Sequence, residues 1–300
     1  MRFTLVLLLL VLISGCAGHS VGASGPQPFP TVPNSGGTLT LEPGVYQCPT
    51  SLPSGTHMIG HGAIVPQELL QDDFAPIANR VPVPEVRIVC PSGLTLKNVN
   101  DIEISGVIFD FEQGGGLVLD GVTYSKFEMA LAHSITALTL TTNDGNTFSD
   151  TFPRLTIYDA ETGILMKGVN SKAVTWNDFG HVDIVRASNM GIDISQFADT
   201  NTFAAVRIRL SATATAGVVF NDNNIFGDVD ASGNTFLALG CDADNAAGYT
   251  GYCADFRGDT VGNKVTMGFG IMPDAGKLHY FNAFSQTANM VVKLQEHPKM

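Results

Sequence analysis

The chain has 300 residues, of which 44% are hydrophobic and only 15% charged, so it can bury one large core without needing a second domain. Its formal net charge of −12 argues against nucleic acid as a partner. Thirty-two glycines and fifteen prolines are typical of a fold with many corners, and the lack of a long helical apolar stripe in the sequence argues against the α/β classes.

The first residues have the pattern of an export signal. Met1-Arg2 provides a positive start, and a continuous apolar run follows from Phe3 to Ile13. The run is too short to span a membrane and is typical of a signal peptide, which we expect over residues 1–15.

The residues at the end of this run suggest a lipid anchor. Ile13-Ser14-Gly15-Cys16 resembles the lipobox of bacterial lipoproteins, in which the cysteine becomes the lipidated first residue. An ordinary signal peptide with an incidental cysteine is the alternative. Residues 16–35 are rich in Gly, Pro and Ser and are predicted to be a flexible tether. We therefore expect a protein that is secreted or is attached to the membrane only through Cys16.

Alternation of apolar and polar residues begins at residue 36. Residues 36–46 alternate around a Pro43-Gly44 turn, and residues 54–62 continue with a glycine-rich stretch. Residues 102–110 then read as an interior strand, a glycine, a second strand and an aspartate. These segments resemble the coils of the pectin-lyase-like superfamily of β-helix proteins, and the likeness runs over most of residues 36–272. The resemblance implies that a polysaccharide would be bound in a groove on the outer face of a sheet.

Residues 63–85 interrupt the alternation. Residues 66–74 are compatible with one or two helical turns that begin at a proline, and residues 76–84 carry three prolines. We expect this insertion to cap the open first coil. A lateral flap over a groove is the alternative.

One short pattern returns through the middle of the chain at intervals of 24 to 33 residues, which is the signature of a solenoid. Its copies are Asn146-Thr147-Phe148, Asn177-Asp178-Phe179, Asn201-Thr202-Phe203, Asn234-Thr235-Phe236 and the decayed Asn263-Lys264-Val265.

Each repeat contains strands rather than helices. Residues 206–210 (Val-Arg-Ile-Arg-Leu) alternate strictly, which predicts a strand with one buried and one exposed face. Gly163, Gly191 and Gly217 each precede a second apolar strand and mark a corner of unusual φ/ψ, while the asparagine tolerates a left-handed conformation at another corner. Stacked asparagines could also hydrogen-bond along the axis. The repeats predict an all-β, single-stranded, right-handed parallel β-helix over residues 36–300. A β-sandwich would instead need hairpin turns, whose dipeptide signals are few.

Four cysteines remain after Cys16, and an even number in an exported protein predicts disulfides, with three pairings open. Proximity favours Cys241–Cys253, which leaves Cys48–Cys90. The sequence contains no Cys-x-x-Cys pair, so a structural zinc site is not expected.

The triplet register assigns side chains to the two faces of the first strand in each repeat. Equivalent inward positions are Leu155, Val182, Val206 and Leu239. One outward column then contains Thr156, Asp183, Arg207 and Gly240, and the next contains Tyr158, Val185, Arg209 and Asp242.

Neighbouring coils lie about 4.8 Å apart, so Asp183 and Arg207 are predicted to be side by side, one step after His181. Such a pair could hold a carboxylate ionised or position an acidic sugar. A surface cross-strand pair with no function is the alternative. The candidate catalytic residues are Asp183, Arg207 and His181, and the candidate substrate-binding residues are Tyr158, Arg209 and Asp242.

Known catalytic signatures of the superfamily are incomplete. Asn143-Asp144-Gly145, Gly180-His181 and Arg207-Ile208-Arg209 follow the order of polygalacturonase motifs, but the Asp-Asp pair and the second glycine after the histidine are missing. Residues 242–245 begin like a calcium loop without its later acidic ligand, so we expect no metal or cofactor, with calcium there as a weak alternative.

Together these patterns predict an exported, monomeric β-helix protein that acts on polysaccharide, as a lyase or a glycoside hydrolase, through an outward-facing sheet groove. The alternative, from another class, is a non-catalytic glycan-binding or structural cell-surface protein, which the incomplete signatures support. Residues 273–300 have lost the repeat and are predicted to be a C-terminal cap.

Overall fold

The computed structural model describes residues 25–65, 84–169, 171–221, 231–243, 249–258, 260–268, 277–280 and 283–293. Within these ranges the chain forms β-strands and one six-residue helix. The elements are β1 (Gly37–Leu41), β2 (Gly44–Gln47), β3 (Thr56–Gly60), β4 (Val86–Val89), β5 (Leu94–Lys97), β6 (Glu103–Gly114), β7 (Leu117–Asp120), β8 (Lys126–Thr141), β9 (Thr147–Phe148), β10 (Thr151–Lys167), β11 (Val174–Thr175), β12 (Asp178–Ile194), β13 (Ala198–Asp199), β14 (Thr202–Leu210), β15 (Ala216–Asn221), β16 (Thr235–Ala243), β17 (Tyr252–Arg257), β18 (Lys264–Met267), β19 (Leu278–Tyr280), α1 (Ala283–Ala288) and β20 (Met290–Lys293).

The strands pair in parallel with the strands of the neighbouring coils. The series β6, β8, β10, β12, β14, β16, β18 and β20 forms one continuous ladder of this kind. A parallel partner one repeat away in the sequence requires the chain to travel round a full coil between them. The fold is therefore a parallel β-helix, which confirms the predicted fold class.

A stack of phenylalanine rings fills the interior beside this ladder. The centroids of Phe152, Phe179, Phe203 and Phe236 follow one another at 4.4, 4.4 and 4.3 Å with nearly parallel planes. All four rings are buried. Their spacing is close to the distance between hydrogen-bonded strands, so each ring lies over the one in the coil below. Burial of each ring contributes roughly 1.5–3 kcal/mol.

A ladder of buried asparagines runs next to the phenylalanine stack. In Asn201, the backbone N–H and the side-chain Nδ2 both donate to the Oδ1 of Asn234, at 3.1 and 3.0 Å, and Nδ2 also donates to the carbonyl oxygen of Val174. The predicted axial hydrogen bonding is therefore confirmed. The asparagines of this ladder are Asn177, Asn201, Asn234, Asn263 and Asn289.

The left-handed corner is not at the asparagine, as the sequence suggested, but at the residue before it. Trp176 has φ 55°, Thr200 has φ 53° and Gly233 has φ 66°. After this corner the backbone N–H of the asparagine points along the helix axis and donates to the side-chain oxygen of the asparagine in the next coil. The prediction for the asparagine was wrong because its side chain is required for hydrogen bonding between coils.

The predicted glycine corners have a different cause from the expected φ/ψ. A Cβ added to Gly163 would lie 2.5 Å from the carbonyl oxygen of Gly191, and a Cβ on Gly191 would lie 2.5 Å from that of Gly217. These residues are glycines because the backbones of successive coils approach too closely for a side chain.

The first sequence triplet does not belong to the ladder. Asn146 is exposed and its Oδ1 accepts from the backbone N–H of Ala173, while the half-buried ring of Phe148 contacts Tyr124. In this coil the ladder position is taken by Asp150, which disguised the repeat in the sequence.

Asp150 is an acid in a place built for an amide. Its Oδ1 accepts from the backbone N–H of Ser125 and its backbone N–H donates to Asn177 Oδ1, but its buried Oδ2 has no hydrogen-bond partner among the described residues. In the asparagines of the ladder the corresponding atom is Nδ2, which donates to backbone carbonyl oxygens. Oδ2 of Asp150 takes this position and can donate there only when it is protonated. Burial raises the pKa of this carboxyl to about 7, so its second oxygen holds a proton over most of the acidic range.

Two predictions for the chain ends need correction. Gln27, expected in the tether, forms a parallel bridge to Tyr46, so the tether is packed at least from there. Beyond residue 272 the repeat continues, because β19 pairs with β17, β20 pairs with β18, and Asn289 extends the ladder. The predicted signal peptide and Cys16 lie outside the described residues.

Both predicted disulfides are confirmed. Cys48 is bonded to Cys90 and Cys241 to Cys253, with Cα atoms 4.8 and 5.7 Å apart. The described residues include no helix long and apolar enough to cross a membrane.

We predict that Asp150→Asn stabilises the protein at neutral pH. Because the folded-state pKa is raised from 3.8 to about 7, the folded protein keeps a proton that the unfolded chain has released, so native stability falls as the pH rises through this window. An asparagine at this position does not titrate, so the variant does not lose stability over this pH range. Its advantage in urea unfolding should grow from about pH 4 to about pH 7, reach up to about 4 kcal/mol, and then level off. Asp178→Asn removes an exposed carboxylate and is the control; equal pH profiles for the two variants would contradict the assignment.

We also predict that Asn201→Ala and Asn146→Ala differ sharply, although both belong to sequence triplets of the same form. Loss of the Asn201 side chain leaves buried donors and acceptors of two coils unpaired and should lower the free energy of unfolding by about 3–5 kcal/mol. Asn146→Ala should cost less than about 1 kcal/mol. Similar losses measured by urea denaturation would mean that the ladder does not stabilise the coil.

Candidate functional site

The outer face is defined here as the outward side chains of β6, β8, β10, β12, β14 and β16. Its two predicted columns have the predicted register: Thr156, Asp183, Arg207 and Gly240 are partners in successive coils, as are Tyr158, Val185, Arg209 and Asp242. This confirms which residues are neighbours. Their functional roles stay predictions.

Charged residues of the outer face pair differently from the expected Asp183–Arg207 ion pair. His181 Nε2 lies 2.8 Å from Asp183 Oδ2, and Arg207 Nε lies 3.4 Å from Asp242 Oδ2. His181 and Asp183 are two residues apart on one strand and therefore point to the same side of the sheet, where their side chains meet.

Three of these residues, His181, Arg207 and Asp242, border a cavity of about 230 Å³. Its rim carries His181, Arg207 and Asp242, and the floor includes the small residues Ala205, Ala238, Gly240 and Gly268. A depression with a small-residue floor and a charged rim suits a polar ligand with a flat ring. We refer to this depression as the groove.

Tyr158 is on the outer face but is only 3% exposed, so it does not line an open surface as predicted. It belongs to an apolar cluster outside the main core, with Ile108, Ala130 and Ala132, and Val65 packs against this cluster. The sequence missed this burial because Val65 comes from a distant part of the chain. Thus the first residues of the 63–85 insertion lie against the outer face, while residues 66–83 are outside the described residues.

The hydroxyl of Tyr158 is held by an arginine. Arg186 Nη1 donates to it at 2.9 Å, and the guanidinium carbon lies 5.6 Å from the centroid of the tyrosine ring. Because the phenol oxygen accepts from Arg186, its own hydrogen can be donated to another group. The imidazole of His133 meets the other side of the ring edge-on, with centroids 5.6 Å apart.

His133 continues into a charged chain that the sequence analysis missed. Its Nδ1 lies 3.0 Å from Asp110 Oδ1, and the second oxygen of Asp110 accepts from Arg87 Nη1 at 2.7 Å. We name Arg87, Asp110, His133, Tyr158 and Arg186 the tyrosine–histidine cluster. One sequence signal existed: Arg87, Asp110 and His133 follow one another at intervals of 23 residues, the length of a coil.

The state of Asp110 fixes the tautomer of His133. Burial alone would raise the pKa of the Asp110 carboxyl, but hydrogen bonds from His133 and the Glu112 backbone, with the charge of Arg87, hold that pKa below its ordinary value. An ionised carboxylate only accepts, so His133 Nδ1 carries hydrogen and Nε2 is the basic nitrogen.

Strained backbone accompanies the cluster. His133, Asp159 and Arg186 occupy the same bend in successive coils and have φ values of 52°, 56° and 63°. A left-handed conformation costs a side-chain-bearing residue about 1–2 kcal/mol, and such strain is concentrated at functional sites. The bend turns the side chains of His133 and Arg186 toward Tyr158.

Two-carboxylate hydrolysis fits this face poorly. An acid carboxyl for that reaction needs a raised pKa. Among the described residues burial raises the pKa of Asp150 and Asp193, but Asp150 lies in the asparagine ladder and Asp193 bonds to Ser195 at the far end of β12. Asp183 on the outer face and Asp242 on the groove are each paired with a basic side chain.

No group of three or more His, Cys, Asp or Glu suited to a metal ion occurs in the part of the chain that the structure describes. The weak calcium alternative involved residues 242–245, of which 244 and 245 lie outside that part. It therefore stays a prediction.

Comparisons with known proteins give one structural likeness. No protein-family model matches this sequence, and no curated protein matches it. Among solved structures, the chain is similar to the alginate lyase from Paenibacillus sp. str. FPU-7, with 14% identity and a TM-score of 0.45, over 81% of this chain and 90% of the lyase chain. A likeness of this degree carries no inference about chemistry.

We predict that Asp110→Asn lowers the free energy of unfolding at neutral pH by about 2–4 kcal/mol, because Arg87 and His133 lose a buried charged partner. The folded-state pKa of Asp110 is below 3.8, so its stabilisation is complete above that value and disappears as the pH falls through the folded-state pKa. The difference between wild type and variant should therefore stay constant from about pH 7 to about pH 5 in urea titrations and shrink only as the pH falls further. A difference that does not change with pH would contradict this account of Asp110.

Proposed function

We propose that the protein binds an acidic polysaccharide along its outer face and cleaves it by β-elimination at the tyrosine–histidine cluster. The observation that carries this proposal is that an arginine, a tyrosine hydroxyl and a histidine oriented by a carboxylate lie side by side. Arg186 Nη1 lies 2.9 Å from the Tyr158 hydroxyl, and His133 Nδ1 lies 3.0 Å from Asp110 Oδ1. These are the groups that elimination from a uronate needs: a cation for its carboxylate, a base and an acid.

Each residue then has one role. Arg186 binds the uronate carboxylate and stabilises the negative charge that develops when the neighbouring proton leaves. His133 Nε2 takes that proton, and the electrons of the broken C–H bond form the C4=C5 double bond. The bond from C4 to the glycosidic oxygen breaks with its electron pair, and this oxygen receives the hydrogen of Tyr158. Asp110 orients His133 and stabilises its protonated form.

The charge of the outer face supports an acidic substrate. Although the chain carries a net charge of −12, five of its eight arginines are on this face or in the cluster. Arg154 is exposed and has no ion-pair partner among the described residues. These arginines are Arg87, Arg154, Arg186, Arg207 and Arg209.

An unpaired polar atom also supports a ligand beside Tyr158. Thr156 Oγ1 is buried on the outer face without a hydrogen-bond partner in the described structure. Buried hydroxyls are normally paired, so this atom is suited to hydrogen-bond a substrate hydroxyl or a solvent molecule. The groove beside it would hold the neighbouring sugars through Arg207 and Asp242.

The two disulfides support a role outside the cytoplasm, where such bonds persist. Secretion and a lipid anchor at Cys16 remain parts of the proposal.

The test is a screen of purified protein against acidic and neutral polysaccharides, which follows both the ultraviolet absorbance of unsaturated uronate ends and the release of reducing ends. We expect both signals to rise together with a polyuronate. His133→Ala and Arg186→Ala should each lower kcat/KM by about 10²–10⁴-fold, and Tyr158→Phe should lower kcat while KM changes little. Lys167→Ala removes an exposed cation elsewhere and is the control. Reducing ends without unsaturated ends would indicate hydrolysis and contradict elimination.

The same screen separates the earlier catalytic candidates from the cluster. If Arg207 binds substrate in the groove, Arg207→Ala should raise KM with kcat little changed. A large fall of kcat in Arg207→Ala or Asp183→Ala, with His133→Ala active, would place the chemistry at Asp183, Arg207 and His181. Polyuronate binding without any product would favour the non-catalytic alternative.

A further inference from the structure

A second surface with ligand-binding character lies at the left-handed corner, away from the outer face. Trp176, the single tryptophan of the chain, is 62% exposed, and Tyr124 is 65% exposed. They occupy the same position two coils apart, with Ser149 between them. We propose that these two rings form a binding surface for a neutral polysaccharide, which stacks its pyranose rings on them. This proposal does not depend on the reaction at the tyrosine–histidine cluster.

The backbone conformation at these positions is costly for any residue that carries a side chain. Tyr124 and Trp176 have φ values of 54° and 55°, and later coils carry Gly233 and Gly262 at this corner. A left-handed conformation costs an ordinary residue about 1–2 kcal/mol, and exposure of an aromatic ring adds no compensating burial. Two aromatic residues at strained, exposed positions therefore indicate a function other than folding.

The rings are presented rather than buried. Tyr124 is supported edge-on by Phe148, with ring centroids 5.2 Å apart, which restricts its orientation. Trp176 makes no hydrogen bond or ring contact with the described residues, so its indole face is open. An exposed aromatic face packs well against the C–H face of a pyranose ring. The register places Ser149 beside Trp176 on the adjacent coil, where its hydroxyl could bind a sugar hydroxyl.

The spacing of the rings fits an extended sugar chain along the axis. Two coils separate Tyr124 from Trp176, which corresponds to about 9.6 Å at the usual strand spacing. In a β-1,4-linked pyranose chain alternate rings present the same face to one side. Such a chain could stack one ring on each aromatic residue and pass its middle ring over the small Ser149.

The local charge favours a neutral chain. Asp178 follows Trp176 by two residues, and Asp199 is on the neighbouring coil as the register partner of Thr175. Neither carboxylate has an ion-pair partner among the described residues. A polyuronate would be repelled here, whereas the arginines of the outer face would attract it. The two surfaces thus select sugars of different charge.

The single tryptophan provides a direct readout of binding. The full-length protein is titrated with cellohexaose, mannohexaose and an oligogalacturonate of the same length, and Trp176 emission and its quenching by acrylamide are followed. We expect a blue shift and protection from acrylamide with at least one neutral hexasaccharide, and no change with the oligogalacturonate. A disaccharide, which cannot reach both rings, should bind about tenfold or more weakly.

Variants assign the signal to the two rings. Tyr124→Ala should weaken the binding seen by Trp176 about tenfold, and Trp176→Ala should weaken binding in calorimetry by a similar factor. Ile135→Ala removes an exposed apolar side chain elsewhere and should leave affinity unchanged; circular dichroism confirms that each variant is folded. The proposal is overturned if neither neutral hexasaccharide changes Trp176 emission, if the oligogalacturonate changes it equally, or if Trp176 becomes protected by self-association of the protein.

Discussion

The buried asparagine ladder is the constraint on which the rest of the molecule depends. The side-chain oxygen of each asparagine accepts hydrogen bonds from the asparagine of the previous coil, and its side-chain nitrogen donates to the asparagine of the next coil and to a backbone carbonyl. Neighbouring coils can therefore stack in only one register. A slip by one residue would break these bonds and turn the phenylalanine column toward solvent. Because the stacked rings repeat at the same spacing, polar pairing and apolar burial favour the same arrangement.

This register brings distant residues together in the tyrosine–histidine cluster. Arg87, Asp110 and His133 are separated by a coil length along the sequence, yet they are in direct contact on the outer face. Tyr158 and Arg186 extend the same series over the next two coils. The rigid stack holds such groups in place without loops, and it accommodates the strained φ values at the bend that direct them. The arginines of the face place positive charge locally on an acidic protein, as the proposed function requires.

The sequence predicted the coil and the outward columns because both follow from alternation. Residues 206–210 show which side chains point inward, and their alignment with residues 182–185 is enough to place Asp183 beside Arg207. Asp150 was missed because an acid can replace an amide only where burial keeps it protonated, and burial cannot be read from one triplet. His133 was missed because β8 runs through the bend with no turn signal. Tyr158 was misjudged because the residue that covers it, Val65, comes from another coil.

The central claim is that stacking of the coils places a uronate carboxylate on Arg186 with its reacting proton toward His133. A crystal structure of the inactive His133→Ala protein with a bound oligouronate tests it most directly. The account predicts the sugar carboxylate in contact with the Arg186 guanidinium, the glycosidic oxygen within hydrogen-bond distance of the Tyr158 hydroxyl, and the C5 hydrogen pointing into the space left by the imidazole. An oligouronate bound elsewhere, or bound here with its carboxylate directed away from Arg186, would contradict it.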